Sequence, residues 1–123
     1  MHQFDLKNRT AIITGGAQGF GLDIAKRFLN SGAKAIIWDI DEDELKKASK
    51  KLNNTNLSYS VVDVSNFNNV KKTVDEIAKS SNIDILINNA GITGSTASLW
   101  DYDVDEWNKI VQINLMGTFN CCK

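Results

Sequence analysis

The sequence predicts an α/β fold, a doubly wound parallel sheet truncated after about four strands in the order 3-2-1-4. Three observations predict it. Short apolar runs alternate with amphipathic helical patterns along the chain, without a linker or an internal repeat, and that alternation implies parallel strands joined by right-handed crossovers. A glycine-rich stretch, Thr14-Gly15-Gly16-Ala17-Gln18-Gly19-Phe20-Gly21, sits where the first strand meets the first helix. The distinctive polar residues fall at the carboxyl ends of strands, the edge where such sheets bind ligands.

The first strand is read at 10–14 and the first helix at 19–31, with Leu22, Ala25, Phe28 and Leu29 on one face and Gly32 as its closing glycine. Ala35 to Trp38 forms a second apolar strand. Asp41 caps a helix through about Leu52, whose acids come first and lysines last; that order suits the helix dipole and marks a solvated face. A third strand is expected over 57–64. Ser65 is the expected start of a helix carrying Val70, Val74, Ile77 and Ala78 at helical spacing. The fourth strand is 83–87, and a polar loop covers 91–98. Asp103 then caps a last helix bearing Trp107, Ile110, Val111, Asn114 and Leu115. The first two helices should cover one face of the sheet, the last two the other.

Bulk composition narrows the function classes. At 123 residues the chain holds one domain. Fourteen basic against fifteen acidic residues leave no basic field, so no nucleic-acid partner is expected. The apolar runs are too short to cross a bilayer, and 1–5 carries no signal-peptide pattern, so a cytoplasmic location is expected. Cys121 and Cys122 are adjacent and read as reduced thiols on a helix. The sole histidine, His2, leaves no metal cluster in view.

The glycine loop invites a nucleotide. Gly15 permits the turn, Gly19 the approach of a pyrophosphate to the helix start, and Gly21 close packing of helix on sheet. Asp39, eighteen residues beyond Gly21, can accept both ribose hydroxyls of an adenosine. It would repel a 2′-phosphate by about 4 kcal/mol per pair of unit charges at ~4 Å. Neither Gln18 nor Ile40, the nearby places for a compensating cation, is basic. NAD is therefore expected over NADP.

Four motifs in order resemble the short-chain dehydrogenase/reductase family along essentially the whole chain: the glycine loop from Thr14 to Gly21, Asp39, Asp63-Val64 after the third strand, and Asn88-Asn89-Ala90-Gly91 after the fourth. Asn114, within Ile113-Asn114-Leu115-Met116-Gly117, matches the family's helix asparagine. The resemblance implies a Rossmann-type sheet and a nicotinamide cofactor held by Thr14, Gly15, Gln18, Gly19, Phe20, Gly21, Asp39, Ile40, Asp63, Val64, Asn89, Ala90 and Gly91. Asp63 would accept from the adenine amino group, Asn88 would tie strands together, and Asn114 would perturb its helix and orient a water in a proton path. From the residues alone, a structural asparagine at 114 is as good a reading. Trp100, Trp107 and Phe119 are read as packing.

The family's carbonyl chemistry needs a serine and a Tyr-x-x-x-Lys, the lysine lowering the tyrosine pKa. Tyr59 and Tyr102 are followed at that spacing by Asp63 and Glu106, not lysine. The reading is thus the N-terminal, cofactor-binding half of an NAD-dependent oxidoreductase, similar to bacterial 3-oxoacyl-acyl-carrier-protein reductases, acting on a 3-oxoacyl thioester, sugar or hydroxy acid. The full-length enzyme would be a homodimer or homotetramer, and this stretch alone is expected to be inactive. Alternatives are a non-catalytic NAD-binding module that uses the apolar edge of the fourth strand, or an inert truncated product.

Overall fold

The structure, a computed structural model, describes residues 3–123; His2 lies outside the described residues. Strand β1 (Thr10–Thr14) is buried along its whole length. It pairs in parallel with β2 (Lys34–Asp39) on one side and β4 (Ile85–Ile87) on the other, and β2 pairs with β3 (Leu57–Val61). The sheet order is β3-β2-β1-β4, all parallel, as the alternation of elements predicts.

Pleating sends alternate residues to opposite faces. Ala11, Ile13, Ala35 and Ile37 meet Ala25 and Leu29 of helix α1 (Gly19–Asn30) and Leu45 and Ala48 of α2 (Glu42–Leu52). Ile12, Ile36 and Trp38 meet Val70, Val74 and Ile77 of α3 (Phe67–Ala78), with Val62 from the chain beyond β3. These two cores account for the continuous apolar strands, since a parallel sheet is covered on both faces.

Several boundaries depart from the sequence reading. Strand β3 stops at Val61, because the Asp63 carboxylate captures both the Ser65 N–H (3.0 Å) and the Ser65 hydroxyl (2.6 Å) and turns the chain. Val62, whose N–H still donates to the Asp39 carbonyl at 3.0 Å, and Val64, in the turn, are buried beyond the strand end. With Ser65 engaged, the cap of α3 passes to Asn66, whose side chain accepts from the Asn69 N–H. Strand β4 begins only at Ile85, since Asp84 uses its carboxylate to accept from the Thr10 N–H at 2.9 Å.

The last helix is a single run that changes its winding midway. Its first part, α4 (Val104–Val111), runs into a π-helical turn (Gln112–Met116) and then into α5 (Gly117–Cys122). A 3₁₀ turn over Leu99–Asp101 precedes it. The packing role expected of three aromatics here is corrected: Trp100 is 86% exposed, Phe119 53% and Trp107 49%. They stand on the outward side of this segment, and Trp107 meets Tyr102 edge-on at 5.6 Å.

Cys121 packs against the second core, and burial, with the Cys122 thiol beside it, raises its pKa to about 11. Its pKa lies above the unfolded value, so its contribution to stability is present below pH 9 and is lost as pH rises toward 11. At pH 8, iodoacetamide should label exposed Cys122 well before Cys121. Peptide mapping that found equal labelling of the two would contradict this packing.

Candidate functional site

The carboxyl ends of the strands converge on a groove lined by Gly15, Trp38, Asp39, Ile40, Val62, Asp63, Val64, Ala90, Gly91, Ile92 and Ile113. Three elements build it: the loop between β1 and α1, the turn after β3, and the chain leaving β4.

The loop is held from behind by Thr14 and Asn89. The Thr14 hydroxyl, 1% exposed, accepts the N–H groups of Asn89 (3.0 Å) and Ala90 (2.9 Å) and donates to the Ile87 carbonyl (3.4 Å). The Asn89 amide donates to the Thr14 and Gly15 carbonyls at 3.1 and 3.0 Å. The Thr14 hydroxyl and the Asn89 amide nitrogen are thus spent inside the protein, where they hold the loop. The strand tie expected of Asn88 is made by Asn89 instead; Asn88 donates to the Cys122 sulfur at 3.3 Å.

The loop leaves the start of α1 open. Helices α2, α3 and α4 are each capped by a side chain, from Asp41, Asn66 and Asp103. At α1 the cap residue Gln18 makes no side-chain cap bond, and no acid stands in the first turn. Its first N–H groups and positive dipole end are left for an external anion. Gly19, at φ +54°, has no heavy atom within 4 Å of where a Cβ would be, so the space in front of the helix is clear. Phe20 beside it is 83% exposed.

Asp39 closes one side. Its carboxylate accepts from the Ala17 N–H (3.4 Å) and the Asp41 N–H (3.2 Å), which turns it toward the glycine loop. Ile40 lies exposed at the lip. On the far side, Asp63 is oriented by its bonds to Ser65 and by its own N–H, which donates to the Asn69 amide oxygen at 2.8 Å. Val64 is seated against Gly117, where a Cβ would come within 2.7 Å of its methyl group. The Val64 carbonyl accepts from buried Asn120 at 2.9 Å.

Asn114 occupies the middle of the π-helical turn and is exposed, not buried. Its amide oxygen accepts from the Ile92 N–H and its amide nitrogen donates to the Ile92 carbonyl, both at 2.8 Å. This two-point bond pins the segment that leaves β4 against the terminal helices.

Of the expected site residues, Gly15, Asp39, Ile40, Asp63, Val64, Ala90 and Gly91 line the groove together. Gln18, Gly19, Phe20 and Gly21 belong to the adjoining loop and helix start. Sequence reasoning did not single out Trp38, Val62, Ile92, Ile113 or Asn120. The signal for Ile113 was its place one residue before Asn114; Asn120 lies six residues beyond Asn114 in the same helical segment. Among the described residues no group of acids, cysteines and histidines could hold a metal ion, and no helix is long and apolar enough to cross a membrane.

An uncapped helix behind a glycine loop, with a carboxylate at the next strand end, fits a dinucleotide, and comparison with known proteins agrees. Residues 9–123 match the family model for short chain dehydrogenase. The chain is 37% identical over 114 residues to the 2-dehydro-3-deoxy-L-rhamnonate dehydrogenase (NAD(+)) of Sphingomonas sp. (strain SKA58), covering 92% of this chain and 45% of that protein. It is 37% identical over 121 residues to the 3-oxoacyl-[acyl-carrier-protein] reductase FabG of Chlamydia muridarum (strain MoPn / Nigg), covering 95% and 48%. The crystal structure of 3-ketoacyl-(acyl-carrier-protein) reductase from Brucella melitensis complexed with NADH superposes with a TM-score of 0.89 at 30% identity, over 96% of this chain and 48% of that one. The chain spans about half the length of the curated relatives it matches. Motif, groove and match cover the same residues, and the chain belongs to the short chain dehydrogenase family of oxidoreductases.

Proposed function

We propose that this chain is the NAD-binding half of a dehydrogenase that moves hydride between nicotinamide and a carbonyl or alcohol carbon. The observation that carries the NAD assignment is Asp39, held at the end of β2 beside the open helix start. Its carboxylate would accept the adenosine ribose hydroxyls, and the N–H groups at the start of α1 would take the pyrophosphate. Asp63 and the Val64 backbone would meet the adenine, while Ala90 and Gly91 would leave room for the riboses. When bound, the nicotinamide supplies or receives the hydride.

The substrate is a 3-oxoacyl thioester, a sugar or a hydroxy acid. The names of two relatives, one a reductase of 3-oxoacyl carriers and one a dehydrogenase of a dehydro-deoxy sugar acid, support that range. For Asn114 the proposed role is in the proton path. Because its side chain is committed to Ile92, the water contact falls to its main chain within the π-helical turn. The whole protein is proposed to be a cytoplasmic homodimer or homotetramer, a reading supported by the exposed Trp107, Leu115 and Phe119 on the terminal helices.

Tyr59 and Tyr102 do not serve as the proton-exchanging tyrosine of that reaction. Neither has a lysine four residues on. Desolvation, and then the Glu106 charge, raise the Tyr102 pKa, the opposite of what a proton-exchanging tyrosine needs.

Calorimetric titration with NADH and NADPH tests the cofactor assignment. NADH should bind about tenfold tighter or more, and Asp39→Ala should bring the two within about threefold. A wild-type preference for NADPH would remove Asp39 from its role.

A further inference from the structure

The sequence Asp103-Val104-Asp105-Glu106 has the form of a capping box, in which Glu106 should turn back to the Asp103 N–H. It does not. The Glu106 carboxylate instead reaches across to the loop, where one oxygen accepts both the Ser95 N–H (2.8 Å) and the Ser95 hydroxyl (2.9 Å). One turn further along α4, Ile110 closes on Gly94, where a Cβ would collide with the Ile110 side chain and the Tyr102 hydroxyl. One turn beyond that, Asn114 holds Ile92 by two bonds. Positions 106, 110 and 114 share one helix face at a spacing of four. They meet Ser95, Gly94 and Ile92 in reverse order, so the helix edge and the loop form an antiparallel seam that ends at the groove wall made by Gly91, Ile92 and Ile113.

We propose that Glu106 is a positioning residue, the outer clamp of this seam, which fixes the loop from Gly91 to Ser95 and thereby the groove wall on the side away from Asp39. The groove half of the claim rests on the nucleotide reading above; the seam itself does not. A carboxylate suits the task because a single oxygen with two lone pairs satisfies a backbone and a hydroxyl donor together. Glutamine offers the same carbonyl oxygen, and alanine offers nothing.

Glu106→Ala and Glu106→Gln, made in the 123-residue chain, separate these roles. Amide hydrogen exchange at Gly94 and Ser95 should quicken by about tenfold in the alanine variant and stay near wild type in the glutamine variant. NADH affinity should fall about fivefold in the alanine variant while AMP affinity holds, because AMP occupies only the part of the groove beside Asp39 and Asp63. Unchanged exchange in Glu106→Ala, or a glutamine variant as fast as alanine, overturns the seam. Loss of AMP and NADH affinity in equal measure overturns the positioning claim. A wild-type chain that binds neither ligand overturns the nucleotide reading and the groove half with it, and the exchange comparison still decides the seam.

Discussion

Gly21→Ala is expected to abolish measurable NADH binding and to lower stability by about 3 kcal/mol. Gly21 is buried on α1 where that helix crosses the root of its own loop. A Cβ there would collide with the Gly15 carbonyl oxygen and stand 2.6 Å from the Asn89 amide nitrogen. The backbone oxygen cannot step aside as the end of a flexible side chain could. Either α1 lifts from the sheet or the loop opens, and each movement displaces the N–H groups that face the pyrophosphate. The collision also strikes the Asn89 amide that holds the Thr14 and Gly15 carbonyls. The neighbouring Phe20→Ala is the control: that ring is 83% exposed, and its loss should leave the urea midpoint unchanged. Urea denaturation together with NADH titration of both variants decides the matter. A Gly21→Ala protein with the wild-type midpoint would mean that α1 does not pack as described.

Thr14→Val should cost about 3 kcal/mol, although it keeps size and β-branching. The hydroxyl is the shared acceptor for two backbone N–H groups, those of Asn89 and Ala90. Valine removes that acceptor and leaves both donors facing a methyl group in a buried place. Each orphaned donor costs about 1–3 kcal/mol, against a total stability of about 5–15 kcal/mol for a domain. Thr14→Ser keeps the oxygen and should lose only about 1 kcal/mol for the missing methyl group. The order wild type, serine, valine in chemical denaturation is the expected result. Valine ranking above serine would show that packing, not hydrogen bonding, is what Thr14 contributes.

Sheet order and face assignment were legible in the sequence because both follow from period and alternation. Ile12 and Ile13 face opposite cores by pleating alone. The glycine loop and Asp39 were legible for a related reason: a sharp strand-to-helix turn has few chemical solutions, and the acid follows at a set distance. Cap identity was less so. Ser65 and Asn66 are both good caps in isolation. The choice between them was made by Asp63, which takes the Ser65 hydroxyl and leaves Asn66 at the helix start. Glu106 carries the same lesson, since its local motif points back along its own helix and its actual partner lies eleven residues away. The exposed Trp107 was misread because helical spacing identifies a shared face without saying what that face meets.

By itself the sequence determined the α/β class, the parallel order 3-2-1-4 and the strand ends at which polar residues gather. These depend on chain-local quantities: hydrophobic period, glycine at turns and the spacing of motifs. Only the tertiary structure decided which polar groups spend their bonds within the protein. It assigned Thr14 and Asn89 to the loop root, Asn120 to Val64 and Asn114 to Ile92, and it left the start of α1 uncapped. The physical reason is that a side chain of several hydrogen-bonding options chooses among partners brought close by folding, and sequence distance does not order those partners.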